Sequence, residues 1–264
     1  VSDRLLGMER SVFYGAVLVM GGHAALAILP GMAGVATGLA LIALGSGALK
    51  ANAAALLGTL YPQGDPRRDG GFTLFYLGVN LGAFFGPVVS GLLQTTLGFR
   101  YAFGAAATAM AVGLGQYVLF RRNLAGHGRI VPNPLPRSGV RNLVFGAIGA
   151  AALVGAAFVT GVLTGDDISE ITTAVIALTA VAYFVVMLRS PEVNRAERSR
   201  VRAFIPLFVA NAVFCALFQQ TSTVLAIYAD ERMNRSVLGW TAPPEWLAAV
   251  EPVWVILLSP VFAV

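Results

Sequence analysis

An all-α bundle of membrane-spanning helices is the fold class this 264-residue sequence predicts, and three observations predict it. Hydrophobic residues make up 57% of the chain and charged residues 12%, where a soluble domain carries about 25% charge. The apolar residues fall in blocks long enough to cross ~30 Å of hydrocarbon, and the charges fall between the blocks. Seventeen of the eighteen basic residues are arginine, and they collect in alternate loops. Together these exclude a soluble enzyme, a disordered chain and a nucleic-acid binder, because the net charge of +5 is dispersed through short loops. A single cysteine, Cys215, forms no internal disulfide, and no Cys/His cluster of metal-site spacing occurs, so no metal or cofactor is expected.

Taken in order, six apolar runs reach or nearly reach the ~20 residues of a spanning helix, at about 11–29, 35–61, 72–93, 101–120, 143–163 and 204–228. A seventh, 171–188, is shorter and rich in β-branched residues, and an eighth begins near Pro252 and continues to Val264. Fourteen arginines lie at the ends assigned to one side: Arg4, Arg10, Arg67, Arg68, the group from Arg121 to Arg141 and the group from Arg189 to Arg202. Only Arg100, Arg232 and Arg235 lie on the other. The split predicts seven crossings with the arginine-rich side cytoplasmic, and with Asp166, Asp167, Glu170, Glu245 and Glu251 outside. The chain opens without an initiator Met and its last run is short, so the expectation is an internal piece of a longer transporter-like protein. Residues 123–141 read as a linker, and the runs 143–163 and 168–188 as a hairpin apolar on every face, suited to lipid rather than to a substrate path.

Lys50 is the one lysine and lies inside a span. A lysine at that depth costs about 2.5–3.5 kcal/mol on insertion scales and normally faces protein or a water-filled cavity. Ala43, Gly47, Ala54 and Gly58 share its helical stripe, which predicts close packing on that face. Snorkelling is the competing reading, but the cytoplasmic end of the run is eleven residues away, about 16 Å by helical rise. Asn52 follows, and Tyr76 and Asn80 stand four apart on the next run, near Thr73 and Pro87. Amides there suit peptide or carboxylate groups, and would serve interhelical hydrogen bonding equally. The cluster Gln219, Gln220, Thr221, Ser222 and Thr223 covers all sides of a helix, so some must line a cavity or bond the backbone at a local break. Pro206 and Pro260 read as helix breakers, His23 as a satisfied packing residue, and Trp240, Trp246 and Trp254 as interfacial anchors.

These residues fall into the order of a known family. Phe75-Tyr76-Leu77-Gly78-Val79-Asn80-Leu81-Gly82 resembles the Phe-Tyr-x-x-Ile/Val-Asn-x-Gly signature of proton-dependent oligopeptide transporters, within the major facilitator superfamily. Gly45-Ser46-Gly47-Ala48-Leu49-Lys50-Ala51-Asn52 resembles that family's Gly-x-Gly-x-x-Lys-Pro-Asn helix. Asp3-Arg4-Leu5-Leu6-Gly7 is similar to the loop between the superfamily's second and third helices. The segments 101–114 and 218–230 are similar to its sixth and seventh helices.

The resemblance implies the family's third to sixth helices, the two helices that bacterial members insert, the seventh helix and part of the eighth. It implies three divisions: 1–122 in the N-terminal bundle, 123–202 as linkers and inserted hairpin, and 203–264 opening the C-terminal bundle. It further implies proton-coupled symport of di- and tripeptides by alternating access in the cell membrane, by a monomer embedded in the lipid bilayer, without nucleic acid and without enzymatic chemistry. By the same resemblance, Lys50 pairs with a glutamate of the family's Glu-x-x-Glu-Arg motif and with the substrate carboxylate, while Tyr76 and Asn80 contact the peptide. That motif does not occur in these 264 residues. Asn52, Gln219, Gln220, Ser222 and Glu251 complete the expected substrate and proton-coupling set. Three residues depart from the family pattern: Ala51 replaces a proline, Gln219 stands where many members carry glutamate, and Glu251 stands where Asn is usual. The competing function is a same-fold carrier of nitrate, an amino acid or a drug-like molecule.

Overall fold

The computed structural model describes residues 2–62, 64–124, 128, 131, 134–136, 138–142, 144–146, 149, 160, 165–191, 193–237 and 239–262. Six stretches among them are long and apolar enough to cross a membrane. The expected span at 143–163 lies almost wholly outside the described residues.

Four helices open the chain: α1 (Met8–Ile28), α2 (Gly31–Thr59), α3 (Arg67–Leu97) and α4 (Phe99–Phe120). The turns between them are local chemistry. Pro30 starts α2 after an extended Leu29, since a missing N–H costs nothing in a first turn. Asp65 accepts from the backbone N–H of Arg67 at 2.9 Å and pairs with its guanidinium, setting the first turn of α3. Gly98 takes φ +99° and donates to the carbonyls of Leu93 and Gln94, so α3 ends and α4 begins across one residue.

The α1–α2 pair is joined through glycine. Buried residues of α1 are Glu9, Ser11, Val12, Gly15, Ala16, Val19 and Gly22, and those of α2 are Gly34, Gly38, Gly45, Asn52 and Leu56. A Cβ at Gly45 would stand 2.6 Å from the Gly15 carbonyl oxygen, and one at Gly22 would stand 2.7 Å from that of Gly38. Only bare backbone permits that approach, the small-residue packing membrane helices use in place of a hydrophobic driving force. On another face α1 meets α4, with Phe13 stacked on Tyr117 at 6.5 Å and the Tyr117 hydroxyl donating to the Glu9 carbonyl. The chain beyond α4 returns to this end: the Gly128 carbonyl accepts from the Glu9 amide, and the Leu135 amide donates to the Arg4 carbonyl.

Residues 136–220 form a separate compact unit, containing α5 (Gly165–Arg189) and α6 (Arg195–Gln219). A capping box between Asn194 and Glu197 starts α6, and Phe184 packs against Phe204 and Phe208 at 6.4 and 5.2 Å. Pro206 lies inside α6 without ending it, and the final helix likewise continues through Pro260. The expected breaks at these prolines are not there. Each removes one backbone donor, which the rest of the helical ladder tolerates. The break falls instead at the polar cluster, where α6 gives way to a 3-10 turn at Gln220–Ser222 before α7 (Val224–Arg232).

The rest of the chain packs with residues 1–135 as one unit. After α7 come a short hairpin, β1 (Ser236–Val237) paired to β2 (Trp240–Thr241), a 3-10 turn at Pro244–Ala249, and α8 (Val250–Phe262). Both this turn and α8 lie against α3. Packing therefore groups α6 with α5, and 221–264 with α1–α4. The sequence-based division at 122 and 202 concerns which helices move together, and belongs with the proposed function.

Candidate functional site

Glycine packing sets the orientation of α2, and with it the position of Lys50. Residues 50 and 52 are about 200° apart around a helix, so they face opposite ways. Asn52 shares the face of Gly38 and Gly45, is 8% exposed, and donates its amide to the Ala48 carbonyl at 2.7 Å. Lys50 is exposed, beside Gly47, where a Cβ would meet nothing within 4 Å. The small residues around Lys50 are therefore not the packing stripe, contrary to the sequence reading. The glycines that touch another backbone sit on the opposite side, and the lysine occupies an open face. Among the described residues it has no hydrogen-bond or ion-pair partner.

On α3, Tyr76 is 57% exposed, and Asn80 donates its amide to the Tyr76 carbonyl at 2.8 Å. Both asparagines thus bond their own helix at i−4, and neither amide N–H bridges two helices. Each keeps an acceptor oxygen. The basic ends of α2 and α3 touch, with the Phe72 ring 3.7 Å from a Cβ built at Gly58. Lys50 and Tyr76 each lie nine residues from that end of their helix, about 14 Å by rise, so they stand at equal depth.

Gln219, Gln220 and Ser222 are exposed at the break between α6 and α7, where the Gln220 amide donates to the carbonyls of Leu217 and Phe218. Broken helices of this kind supply polar backbone at membrane depth only where it lines a cavity or is covered by protein. Glu251 is exposed on the first turn of α8, where a carboxylate favours the helix N-terminus.

Two residues differ from their sequence reading. Trp246 has a protein contact that the interfacial reading did not include: its indole N–H donates to the Val88 carbonyl at 3.2 Å, and its ring lies 5.2 Å from that of Trp240. Trp240 and Trp254 are exposed, as an interfacial role requires. His23 does pack, stacked on Phe103 at 6.4 Å, yet its Nδ1 is buried with no partner among the described residues.

Sequence reasoning missed the seat of Trp246 altogether. Gly91 of α3 is buried, and a Cβ there would stand 3.0 Å from the Pro243 Cβ. Beside it is a cavity of about 460 Å³ lined by Gln94, Thr95, Asp230, Arg235 and Glu245 among others. Glu245 Oε2 and Arg235 Nε are buried without a hydrogen-bond partner among the described residues. The signal for the glycine contacts was present: Gly38 and Gly45, like Gly15 and Gly22, are seven residues apart.

Comparison with known proteins adds the family. The chain matches the POT family over residues 9–264. It is 37% identical over 264 residues to the uncharacterized transporter YclF of Bacillus subtilis, covering 100% of this chain and 54% of that protein. It is 33% identical over 272 residues to a di-/tripeptide transporter of Lactococcus lactis subsp. cremoris, covering 99% and 55%. A crystal structure of a peptide transporter, POT, in complex with sulfate superposes with TM-score 0.92 at 43% identity, over 99% of this chain and 54% of that one. The chain spans about half the length of these relatives. With the signature residues, the helix order and the fold in agreement, this chain belongs to the POT family of multi-pass membrane transporters.

Proposed function

We propose that this chain is the part of a proton-coupled di- and tripeptide symporter that carries the substrate-facing lysine, working by alternating access in the cell membrane. The observation that carries the reading is Lys50, unpartnered among the described residues, on the open face of α2 at the depth of Tyr76. A bare ammonium at membrane depth needs a counter-charge, and a peptide carboxylate or a glutamate of the same transporter supplies one. Tyr76 and the free acceptor of Asn80 then meet the peptide backbone or its amino terminus. Exchange of the lysine's partner as proton and peptide arrive gives the differential interaction that alternating access requires.

In this reading Gln219 carries no proton, so Lys50 takes a larger share of the coupling than in members with glutamate there. Asn52 acts through α2 by holding its face to α1, rather than by touching substrate. Gln220, Ser222 and Glu251 contribute polar groups from the C-terminal bundle, and residues 1–122, 123–202 and 203–264 move as the two bundles and their connector. The transporting unit is a monomer in the bilayer.

The test is uptake of labelled dipeptide into liposomes holding a full-length transporter with this 264-residue sequence, under an inward proton gradient. Accumulation competed by unlabelled di- and tripeptides is the expected result. Accumulation competed only by nitrate, an amino acid or a drug-like molecule would replace the substrate class.

A further inference from the structure

The segment joining α7 to α8 is tied unequally to its two neighbours. On the α7 side, Arg235 pairs with the Asp230 carboxylate at 2.6 Å and donates to the Ala242 carbonyl at 2.7 Å, and the Ala242 amide returns a bond to the Arg235 carbonyl. On the α3 side, among the described residues, the segment makes one neutral side-chain hydrogen bond, from Trp246 to Val88, together with Pro243 resting on Gly91. The charged attachment is the more exposed, with the Asp230 side chain 62% accessible, whereas the attachment to α3 is neutral and centred on the buried Pro243.

The joint to α3 is specific in shape. Pro243 is fully buried, and Gly91 leaves it a seat that any side chain would fill. Val88 and Gly91 stand on the same helix as Tyr76 and Asn80, toward the end opposite the arginine-rich loops. Val88 is about 12 Å beyond Asn80 by helical rise. Between them lies Pro87, which leaves the carbonyl of Ala83 without its helical donor and gives α3 a point at which to bend.

We propose that residues 243–249 form a strap that closes the outer mouth of the transport path against α3 and lifts from it in each cycle. Trp246 on Val88 and Pro243 on Gly91 form the seat. The strap travels with α7 because Arg235 holds it there. The inference rests on the alternating-access reading above and adds a particular closing contact to it.

The experiment uses the full-length transporter with Cys215→Ser and the pair Gly91→Cys and Pro243→Cys. A built Cβ at Gly91 is 3.0 Å from the Pro243 Cβ, and a small adjustment reaches the 3.5–4.5 Å of a disulfide. Oxidation should stop uptake and reduction should restore it. In a companion protein with a further Gly47→Cys, oxidation should stop labelling of position 47 by a membrane-impermeant maleimide added outside. Uptake and labelling that persist after complete cross-linking would make the contact a fixed joint and overturn the strap, as would failure of the disulfide to form. Trp246→Phe keeps the ring and removes the donor, and should raise the outside labelling rate of Gly47→Cys about fivefold. An unchanged rate would also overturn the strap. If the reduced protein moves no peptide, the substrate reading fails, while the labelling result still decides the strap.

Discussion

The α1–α2 pair is the less apolar and the more tightly packed, and the α5–α6 pair is the reverse. Mean hydropathy is 1.7 and 1.8 in the best windows of α1 and α2, and 2.3 and 2.0 in those of α5 and the stretch containing α6. Buried residues make up 33% and 17% of the first two windows and none of the last two. In a membrane, hydropathy selects the helices but does not bring them together, because lipid is as apolar as leucine. Gly15, Gly22, Gly38 and Gly45 bring α1 and α2 together by letting backbone touch backbone. The described contact between α5 and α6 rests on aromatic rings, Phe184 against Phe204 and Phe208, and leaves side chains such as Leu178 and Leu217 exposed. A tightly packed pair can hold a charged side chain at fixed depth and orientation, and Lys50 is found on that pair.

The largest expected effect is at that lysine. Lys50→Gln should abolish proton-driven accumulation of labelled dipeptide by the full-length transporter while sparing its insertion. Lys50→Arg should also impair it, because the planar guanidinium does not occupy the place of a compact ammonium. Asn80→Ala should weaken peptide binding and leave part of the coupling. Accumulation by Lys50→Gln at the wild-type level would reduce Lys50 to a passenger on the open face of α2.

Much of this was legible in the sequence, for reasons that also explain the failures. Apolar runs located the helices but not their ends: the third run began at 72, whereas the Asp65–Arg67 turn starts α3 at Arg67, and Pro30 and Gly98 are local signals the run lengths did not use. Lys50, Tyr76 and Asn80 stood out as polar groups in apolar runs, and the motif order carried the family. The face of α2 was misread because two small-residue stripes run along it, and spacing alone does not say which one meets a neighbour. Gly47 and Gly45 are indistinguishable as letters, and only the position of α1 separates them. The role of Trp246 was hidden for a similar reason: its partner, Val88, is 158 residues away and contributes only a backbone carbonyl. The prolines at 206 and 260 were overread because one missing donor does not end a helix.

A smaller effect separates those two glycines directly. Gly45→Ala puts a methyl 2.6 Å from the Gly15 carbonyl and 2.7 Å from the Val19 amide, both backbone atoms that cannot turn aside. Overpacking of this kind should cost about 1–3 kcal/mol against unfolding in detergent. Gly47→Ala meets open space, so it should be neutral or gain up to about 1 kcal/mol from helix propensity. Equal stabilities for the two variants would remove glycine contact as the difference between the tightly and the loosely packed pairs.

The smallest effect is at the turn that leads from α2 into α3. Asp65 receives hydrogen bonds from the Arg67 side chain and backbone, and these hold its carboxyl below the ordinary carboxylate value. A depressed folded pKa means the unfolded turn binds a proton more readily than the folded one. The contribution to order is therefore fully present above the ordinary aspartate value, ~3.9, and is lost as pH falls through the lower folded value. The pair is also exposed on the Arg67 side, with that side chain 82% accessible, so salt should weaken it. A spin label at Asp69, exposed on the first turn of α3, should report a rigid turn from neutral pH down to the ordinary carboxylate range, with mobility rising only below it. Asp65→Asn keeps an acceptor for the Arg67 amide but loses the charge, so its label should be more mobile at neutral pH and should not change across the acid range. If the variant shows the wild-type acid transition, another group controls the turn and the Asp65–Arg67 pair does not set the start of α3.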